Sequence, residues 1–442
     1  MCPVTAITTP LDELYRRRSS VLESLGEGVM VLPSAPIQYA SRDNQRSYVS
    51  DRELFYLTGL VEPGCVAVLV GGLTPRVEIF TRSRDEKAEL WTGPRLGPNG
   101  AQVLSGADEA HCIEELRARL PALLKGADRI YARLGDGGLG SDLVLAALTA
   151  SRAKGARHGS GPRGVMDPGE ILDDLRLKKS GHELGIIRKA CQITVTGHRA
   201  AASAIADAKG EWTIEAELER AFRASGASGP GFDSIVGGGQ NACVLHYVEN
   251  NASLSAGELV LIDAGAEYGL YHGDVTRTYP VNGRFSDEQR AVYQIVEEAR
   301  LTAIASIKPG ATITDVHEAA SRVLAQGLLD LGVLHGDKDS VIDEGSHRDF
   351  FPHQTSHWLG LDVHDPGDYR RDGLGRVLEP GMVFTIEPGL YFPPGNGGNK
   401  ADRWAGIGVR IEDDVVVTDK GVEVLTGVLP TSVDEVEEAV GR

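Results

Sequence analysis

Cysteine is scarce in this chain of 442 residues, and its spacing excludes two common uses of the residue. The cysteines are odd in number and include no CxxC pair. They therefore indicate neither a disulfide framework nor a thiolate zinc cage, and they are typical of free thiols in a reducing compartment. We expect a cytoplasmic protein. The cysteines are Cys2, Cys65, Cys112, Cys191 and Cys243.

Long apolar runs and an excess of positive charge are also missing. No apolar segment approaches the roughly 20 residues that span a bilayer, and the N-terminal sequence MCPVTAITTPLDELYRRR lacks the pattern of a signal peptide. The chain carries 45 Lys and Arg against 63 Asp and Glu, a formal charge of -18. Nucleic-acid-binding proteins normally show a basic patch. We therefore expect neither a membrane nor a nucleic acid as a partner.

The length of the chain predicts two domains, which we place at residues 1–172 and 173–442. The first part alternates the strand candidates VMVLPSA, CVAVLVGG and VEIFTR with the helix candidates DELYRRRSSVLESLG and DEAHCIEELRARLPALLKG, which predicts an α/β domain. Residues 155–168 are rich in Gly, Pro and basic residues and are typical of a linker or a long surface loop. The second part alternates helix patterns with Gly-punctuated strands. It predicts an α+β domain in which helices cover a curved antiparallel sheet.

Three helix starts in the second part carry capping signals. Ser180 with Glu183, and Ser286 with Gln289, have the spacing of a capping box. Thr213 is a candidate N-cap without the box.

Asp263 and Asp274 follow two apolar strand candidates that a tight turn would join. If the turn is centred on Tyr268 and Gly269, the two aspartates lie directly opposite each other, with Cβ atoms about 5 Å apart. Carboxylates at that separation would straddle two metal ions about 3.5–4 Å apart. Exposed turn aspartates are the alternative, but the run VLIDAG is apolar, and burying an unpaired carboxylate there is unfavourable.

Two glutamates and a group of histidines lie in similar surroundings. Glu387 ends MVFTIE and Glu412 ends GVRIE, while His357 lies in FPHQTSHWLGLDVHD. Four carboxylates without basic partners would repel one another, and two divalent cations are the simplest way to hold them together. Arg410 would share a strand face with Glu412, either contacting a ligand or forming a surface ion pair.

This set of oxygen ligands with one imidazole favours manganese, with cobalt or zinc possible. Such a site would acidify a bridging water for attack on a polarised carbonyl. The histidines that do not bind metal would serve as supporting or substrate-contacting groups.

Several motifs resemble the pita-bread metallopeptidases, and among them aminopeptidase P. In the second part these are GFDSIVGGGQNACVLHYVEN, LVLIDAG, GDVTRTYPVNG, SHWLGLDVHD, EPGMVFTIEPGLY and GVRIEDD, and the match covers most of residues 173–425. The motifs RSYVSDRELFYLTGLVEPG and AELWTGPRLG extend it into the first part. The resemblance implies a pita-bread catalytic domain preceded by a creatinase-like α/β domain. It departs at FPPGNGGNKADRWAG, between Tyr391 and Glu412, which would alter a loop near the active site.

The resemblance also implies a role for each site residue. Asp274 and Glu412 would bridge two ions, His357 and Glu387 would complete the shell of one ion, and Asp263 would hold the other. Glu387 would also accept a proton from the bridging water. The implied metal ligands are Asp263, Asp274, His357, Glu387 and Glu412.

Further residues match groups that contact substrate. His246 and His364 would contact the substrate and stabilise the tetrahedral intermediate. Trp91 would reach the site of a neighbouring subunit, which implies a homo-oligomer, a dimer or a tetramer. The residues implied around the proline pocket are His353, Tyr391, Arg410 and Val363.

We therefore expect a metal-dependent aminopeptidase that removes the first residue from peptides with proline in second position. The nearest alternative is prolidase, which cleaves Xaa-Pro dipeptides with the same ligands. A metal-free binding protein and a creatinase-like hydrolase on the same fold are disfavoured, because all five ligand positions are intact.

Overall fold

A computed structural model describes residues 8–135, 139–158, 162–395 and 402–441. The chain divides into two compact units, Pro3–Leu175 and Arg176–Arg442, against a predicted boundary after residue 172. Part of the divergent segment, residues 396–401, lies outside the described residues. In the described part, no helix has both the length and the hydrophobicity that crossing a membrane requires.

The helices are α1 (Leu11–Leu25), α2 (Arg52–Thr58), α3 (Glu86–Thr92), α4 (Gly97–Ser105), α5 (Leu116–Leu123), α6 (Leu139–His158), α7 (Gly169–Leu177), α8 (Gly181–Ala204), α9 (Glu211–Ala224), α10 (Asp287–Ser306), α11 (Ile313–Asp330), α12 (Lys338–Glu344) and α13 (Val433–Ala439). The strands are β1 (Val29–Pro33), β2 (Tyr39–Ser41), β3 (Asn44–Gln45), β4 (Val66–Val70), β5 (Arg76–Thr81), β6 (Glu109–Cys112), β7 (Arg129–Tyr131), β8 (Gly164–Met166), β9 (Gly229–Pro230), β10 (Ile235–Gly238), β11 (Leu259–Ala264), β12 (Ala266–Tyr268), β13 (Tyr271–His272), β14 (Val275–Pro280), β15 (Arg370–Arg371), β16 (Leu374–Gly375), β17 (Val383–Ile386), β18 (Gly389–Tyr391), β19 (Gly408–Arg410), β20 (Asp413–Thr418) and β21 (Gly421–Val424).

The first unit is built on one mixed sheet with the strand order β6-β5-β4-β1-β7-β8. β1, β4 and β5 pair antiparallel, whereas β6, β7 and β8 join in parallel. The three strand candidates of the sequence are β1, β4 and β5, and they are confirmed. Their apolar runs form the core with α5, through contacts among Val31, Phe80, Leu120 and Ile130.

Two predictions for the first unit are wrong in part. Residues 109–112 form β6 instead of helix, because they pair with β5 across the sheet. Residues 155–158 close α6, and residues 164–166 form β8, which pairs with β7, so half of the residues of the proposed linker are in regular structure. Both strands are fixed by a distant neighbour, which local composition does not report. Residues 159–161 lie outside the described residues.

The second unit combines helices with short antiparallel sheets. The sheet orders are β10-β11-β14, β13-β12-β9, β15-β16, β17-β20-β21 and β18-β19. α10, α11 and the apolar faces of β11 and β17 share one core, which contains Ile262, Val296, Leu324 and Phe384. The core of this unit therefore joins residues from distant parts of its sequence.

Two of the three predicted helix starts are confirmed. Ser180 and Ser286 each accept a hydrogen bond from the backbone of the helix they cap, and both capping boxes are complete. The prediction for Thr213 is wrong, because α9 begins at Glu211 with Gly210 as its N-cap. That start is fixed from outside the helix, since Gly210 pairs with Ser253 in an isolated bridge.

The hairpin that carries the two aspartates has a different register from the predicted one. Asp263 pairs with Thr276, and Tyr268 pairs with Tyr271, so the turn is centred on Gly269 and Leu270. Both central residues have positive φ, 58° and 69°, as a two-residue hairpin turn of the mirror-image type requires. Leucine rarely adopts this conformation, and the sequence therefore gave no signal for it. Asp274 consequently lies diagonally from Asp263 on the same face of the hairpin, not directly opposite it.

Candidate metal and substrate site

A cavity of about 670 Å³ in the second unit, here called the site cavity, collects most of the predicted functional residues. Its walls come from the β9–β10 and β10–β11 connections, from β11 and from the segments around β17 and β19. The predicted residues that line it are His246, Asp263, Asp274, His353, His357, Val363, His364, Glu387, Arg410 and Glu412.

Three of the predicted ligands already stand close enough to share an ion. One donor atom each from Asp274, His357 and Glu412 lies within 4.8 Å of the others. His357 Nε2 is 3.3 Å from Asp274 Oδ2 and 3.6 Å from Glu387 Oε1. Asp263 joins them from β11, across the hairpin. The fold thus brings the five predicted ligands to one end of the site cavity.

Three carboxyl groups of this cluster, those of Asp274, Glu387 and Glu412, have raised pKa values in the absence of cations. Burial raises the pKa of Asp274 to about 6, and the charge of Asp263 adds to this rise. Burial raises the pKa of Glu387 to about 7, and Asp274 adds to it. The pKa of Glu412 is also raised well above its ordinary value, first by burial and then by the charge of Asp274. Divalent cations would offset both the burial and the repulsion.

The donor atoms that face the site cavity also fit metal ions. Asp263 Oδ1 and Asp274 Oδ1 are buried and have no hydrogen-bond partner among the described residues. Buried carboxylate oxygens are normally paired, and two unpaired carboxylate oxygens that face one cavity have the chemistry of cation ligands. Oxygen donors with a single imidazole suit a hard or borderline divalent ion.

The His357 imidazole is oriented by its backbone surroundings. Its Nδ1 lies 3.1 Å from the carbonyl oxygen of Trp358, which leaves Nε2 directed at the carboxylates. Burial lowers the pKa of His357, but the hydrogen bond to Asp274 and the charge of Glu387 raise it more, to about 9. The metal-free imidazole is therefore cationic at neutral pH, and a metal ion would have to displace that proton.

Two threonines that the sequence reasoning missed hold the carboxylates in place. The Thr276 hydroxyl donates to Glu412 Oε2 at 2.7 Å, and the Thr385 hydroxyl donates to Glu387 Oε1 at 3.3 Å. The backbone N–H of His357 donates to the same Thr385 hydroxyl. A usable signal existed, because each threonine lies two residues from a ligand and therefore on the same strand face.

Arg410 is the basic partner that the sequence reasoning took to be absent. It forms an ion pair with Asp263 and is only 4% exposed, so the surface-pair alternative is wrong. Its Nη1 donates to the Tyr391 hydroxyl at 2.9 Å, and its Nε donates to Thr276 Oγ1 at 3.1 Å. Asp263 is 147 residues away in sequence, and this separation hides the pairing.

Tyr391 supports the wall of the site cavity from behind. It is buried and absent from the cavity lining, and its hydroxyl lies 2.8 Å from His353 Nε2. Burial lowers the pKa of His353 to about 3, and Arg410 contributes, so His353 is neutral at neutral pH. Burial also lowers the pKa of His364, and His357 adds to the effect. The imidazoles beside the carboxylates therefore differ in charge.

Trp91 and some residues that were not predicted complete the inventory. Trp91 lies on α3 of the first unit, is 86% exposed and is not among the residues that line the site cavity. The residues of the cavity wall that sequence reasoning missed are Phe232, Asp233, Ile235, Leu245, Val248, Gln354, Ser356 and Tyr369. All of them except Tyr369 lie inside sequence runs already noted around His246 and His357, but nothing in those runs showed which further side chains face the cavity.

Comparisons with known proteins agree with this arrangement. Residues 185–419 match the model of metallopeptidase family M24, and residues 14–131 match that of the aminopeptidase P N-terminal domain. The Xaa-Pro aminopeptidase of Escherichia coli K12 is 39% identical over 429 residues, which cover 96% of this chain and 97% of that protein.

Solved structures give the same result for the fold. The aminopeptidase PepP of Pseudomonas aeruginosa superposes with a TM-score of 0.92 at 42% identity, covering 98% of both chains. Proline aminopeptidase P II from Yersinia pestis gives a TM-score of 0.93 at 39% identity, covering 98% of this chain and 99% of that one. The predicted fold class, an α/β N-terminal domain followed by an α+β pita-bread domain, is confirmed. This chain belongs to metallopeptidase family M24, in the branch that carries the aminopeptidase P N-terminal domain.

Proposed function

We propose that this protein is a dimetal aminopeptidase that hydrolyses the bond between the first residue of a peptide and a proline in second position. The cluster of Asp274, His357 and Glu412, extended by Asp263 and Glu387, carries the proposal. Similarity to Xaa-Pro aminopeptidases over almost the whole chain supports the substrate class.

The ions would be held by Asp263, Asp274, His357, Glu387 and Glu412. When bound, the ions would supply Lewis acidity to water and to the scissile carbonyl. The donor set favours manganese, with cobalt or zinc as substitutes.

Glu387 is the general base in this proposal. Glu387 lines the site cavity with its Oε1 3.6 Å from His357 Nε2, so its carboxylate is within reach of a water held among the predicted ligands. The Thr385 hydroxyl donates to its Oε1 and so fixes its orientation toward the site cavity. Glu387 would take a proton from the attacking water and pass it to the leaving proline nitrogen.

The histidines act on the substrate in this proposal. His246 and His364 line the site cavity and would donate hydrogen bonds to the carbonyl oxygen as it becomes tetrahedral. His353 and Val363 would contact the proline ring, while Tyr391 and Arg410 hold His353 in place. His353 lies 3.6 Å from Glu387, so the proline would sit beside the general base.

The test is an assay of purified protein with Xaa-Pro-Yaa tripeptides and Xaa-Pro dipeptides, each with manganese and with chelator. We expect tripeptide cleavage that chelation abolishes and about two metal ions per chain. Cleavage of dipeptides alone would assign the protein as a prolidase. Intact protein that binds no metal would support the binding-protein alternative. Activity that survives exhaustive chelation would contradict the metal mechanism.

Substitution tests the ligands directly. Asp274→Ala and Glu387→Ala should lower turnover by orders of magnitude with the fold retained. Asp343→Ala and Glu344→Ala, which remove exposed carboxylates on α12, are the matched controls. Full turnover and full metal content in either site variant would contradict the assigned roles.

The oligomeric state and the compartment remain predictions. Self-association as a dimer or tetramer, with Trp91 reaching a neighbouring site, comes from the resemblance and is tested by analytical ultracentrifugation of the wild type and Trp91→Ala. The cytoplasmic location comes from the cysteine pattern and is tested by cell fractionation.

A further inference from the structure

Glu211 is a fully buried carboxylate that has no cationic partner among the described residues. It is the first residue of α9 and accepts four hydrogen bonds. Gly238 N and Asn241 Nδ2 donate to Oε1 at 2.7 and 2.9 Å, and Tyr247 OH and Ala252 N donate to Oε2 at 2.8 Å each. Burying an ionised group without a counter-ion is unfavourable, and four donors aimed at it are the usual compensation.

These donors come from both ends and the middle of one segment, residues 238–252, here called the His246 segment. The backbone N–H of Glu211 adds a further contact with the end of this segment, because it donates to Ala252 O at 3.0 Å. Asn250 braces the segment further, with positive φ and a side chain that accepts from Val236 N. One carboxylate thus ties the start of the segment to its end.

The His246 segment forms a wall of the site cavity. Leu245, His246 and Val248 line the cavity, while the neighbouring Tyr247 is buried and directed at Glu211. The His246 side chain has no hydrogen bond or ion pair with any described residue. The position of the His246 side chain is therefore set by the backbone of the segment. The next residue in the chain, Tyr247, is held by its hydrogen bond to Glu211.

We propose that Glu211 is a positioning residue for the reaction, acting by holding His246 where it meets the substrate. The proposal rests on the proposed function for the role of His246. The four hydrogen bonds by which Glu211 holds the two ends of the segment together, here called the clamp, do not depend on that function. A gap of 1 Å between a catalytic group and its target lowers a rate by about 100-fold. A carboxylate far from the reacting atoms therefore matters to turnover.

Glu211→Gln is the sharpest perturbation because it keeps the shape and removes the charge. A Tyr247 hydroxyl can rotate to accept from the new amide group, and the Asn241 amide can turn to do the same. The backbone N–H groups of Gly238 and Ala252 cannot accept. Whichever way the glutamine turns, one end of the segment faces a donor where it needs an acceptor.

The expected result is a fall in kcat of about 10- to 100-fold, with KM within about twofold and metal content unchanged, because the segment contains no predicted metal ligand. In a His246→Ala background, Glu211→Gln should add little further loss, since both changes act through one side chain. Tyr247→Phe, which removes one donor, should give a smaller loss of the same kind.

Glu437→Gln is the matched control. Glu437 is also a buried glutamate that accepts a backbone N–H, from Phe285, but it does not line the site cavity. The Glu437→Gln substitution should lower the free energy of unfolding without lowering kcat. Equal kcat for wild type and folded Glu211→Gln would overturn the proposal, as would an undiminished loss in the His246→Ala background.

Hydrogen exchange separates this proposal from the proposed function. The His246 segment, residues 238–252, should exchange faster in Glu211→Gln than in the wild type, with the rest of the second unit unchanged. Unchanged exchange there would overturn the clamp. A wild type that cleaves no Xaa-Pro bond, but whose segment loosens in the variant, would overturn the proposed function and leave the clamp standing.

Discussion

Removing the charge of Glu387 should make the metal-free protein more stable at pH 8, although the same change should abolish turnover. Burial raises the pKa of Glu387 from 4.5 to about 7 in the folded protein. The folded state therefore binds this proton more tightly than the unfolded chain does. Stability is consequently lost as the pH rises between these two values, and a glutamine at this position avoids the loss.

The size of the effect follows from the interval between the two pKa values. An interval from 4.5 to about 7 corresponds to about 3 kcal/mol once the pH exceeds both values. At pH 5 most of that penalty is absent, because the carboxyl in the folded protein is still protonated. Metal-free Glu387→Gln should thus exceed the wild type in unfolding free energy by about 2–3 kcal/mol more at pH 8 than at pH 5.

The assay is urea denaturation of chelated protein at the two pH values. Glu437→Gln provides a control of opposite sign: burial raises the pKa of Glu437, but the Phe285 N–H and Arg284 lower it more, so its ionised form stabilises the fold. That variant should lose stability at pH 8. Adding manganese should reverse the order at position 387, because the wild type gains binding energy that the variant lacks.

Two results would refute this reasoning. One is a difference between wild type and Glu387→Gln that is the same at pH 5 and pH 8. The other is a metal-free wild type that is the more stable protein at pH 8. Either would mean that the buried carboxyl ionises without cost in the absence of metal, so that its surroundings do not require a cation.

Three further predictions concern the site and its supports. Asp274→Ala should lower both turnover and the number of bound metal ions, and a variant that keeps two ions per chain would show that Asp274 is not a ligand. Arg410→Lys should lower kcat/KM about 10- to 100-fold, because lysine cannot contact Asp263, Tyr391 and Thr276 together; an unchanged value would remove the guanidinium from the mechanism. Gly360→Ala should cost about 1–3 kcal/mol and raise KM, because a Cβ atom there would lie 2.5 Å from Asp365 Oδ2, next to His364. Gly185→Ala, where a Cβ atom meets nothing within 4 Å, should be neutral or stabilising in the same denaturation assay.

Local signals in the sequence predicted those parts of the fold that neighbouring residues determine. The capping boxes at Ser180 and Ser286 appear as predicted, because each needs only four consecutive residues. The strand runs of β1, β4 and β5 were equally clear. The start of α9 and strand β8 were mispredicted, because each is fixed by a pairing with a distant segment.

The features of the candidate site also divide into those that the sequence predicts and those that depend on the tertiary structure. The sequence by itself predicts which side chains would bind cations, because carboxylates next to apolar strands are unfavourable unless something neutralises them. Only the tertiary structure decided how those groups meet. It set the hairpin register through a left-handed Leu270 and paired Arg410 with Asp263. It also placed Glu211 behind the His246 segment. The physical reason is that chemical type and capping signals are properties of short stretches of chain, whereas the register of a hairpin and the contacts between separate segments are settled only when strands and helices pack into a shared core.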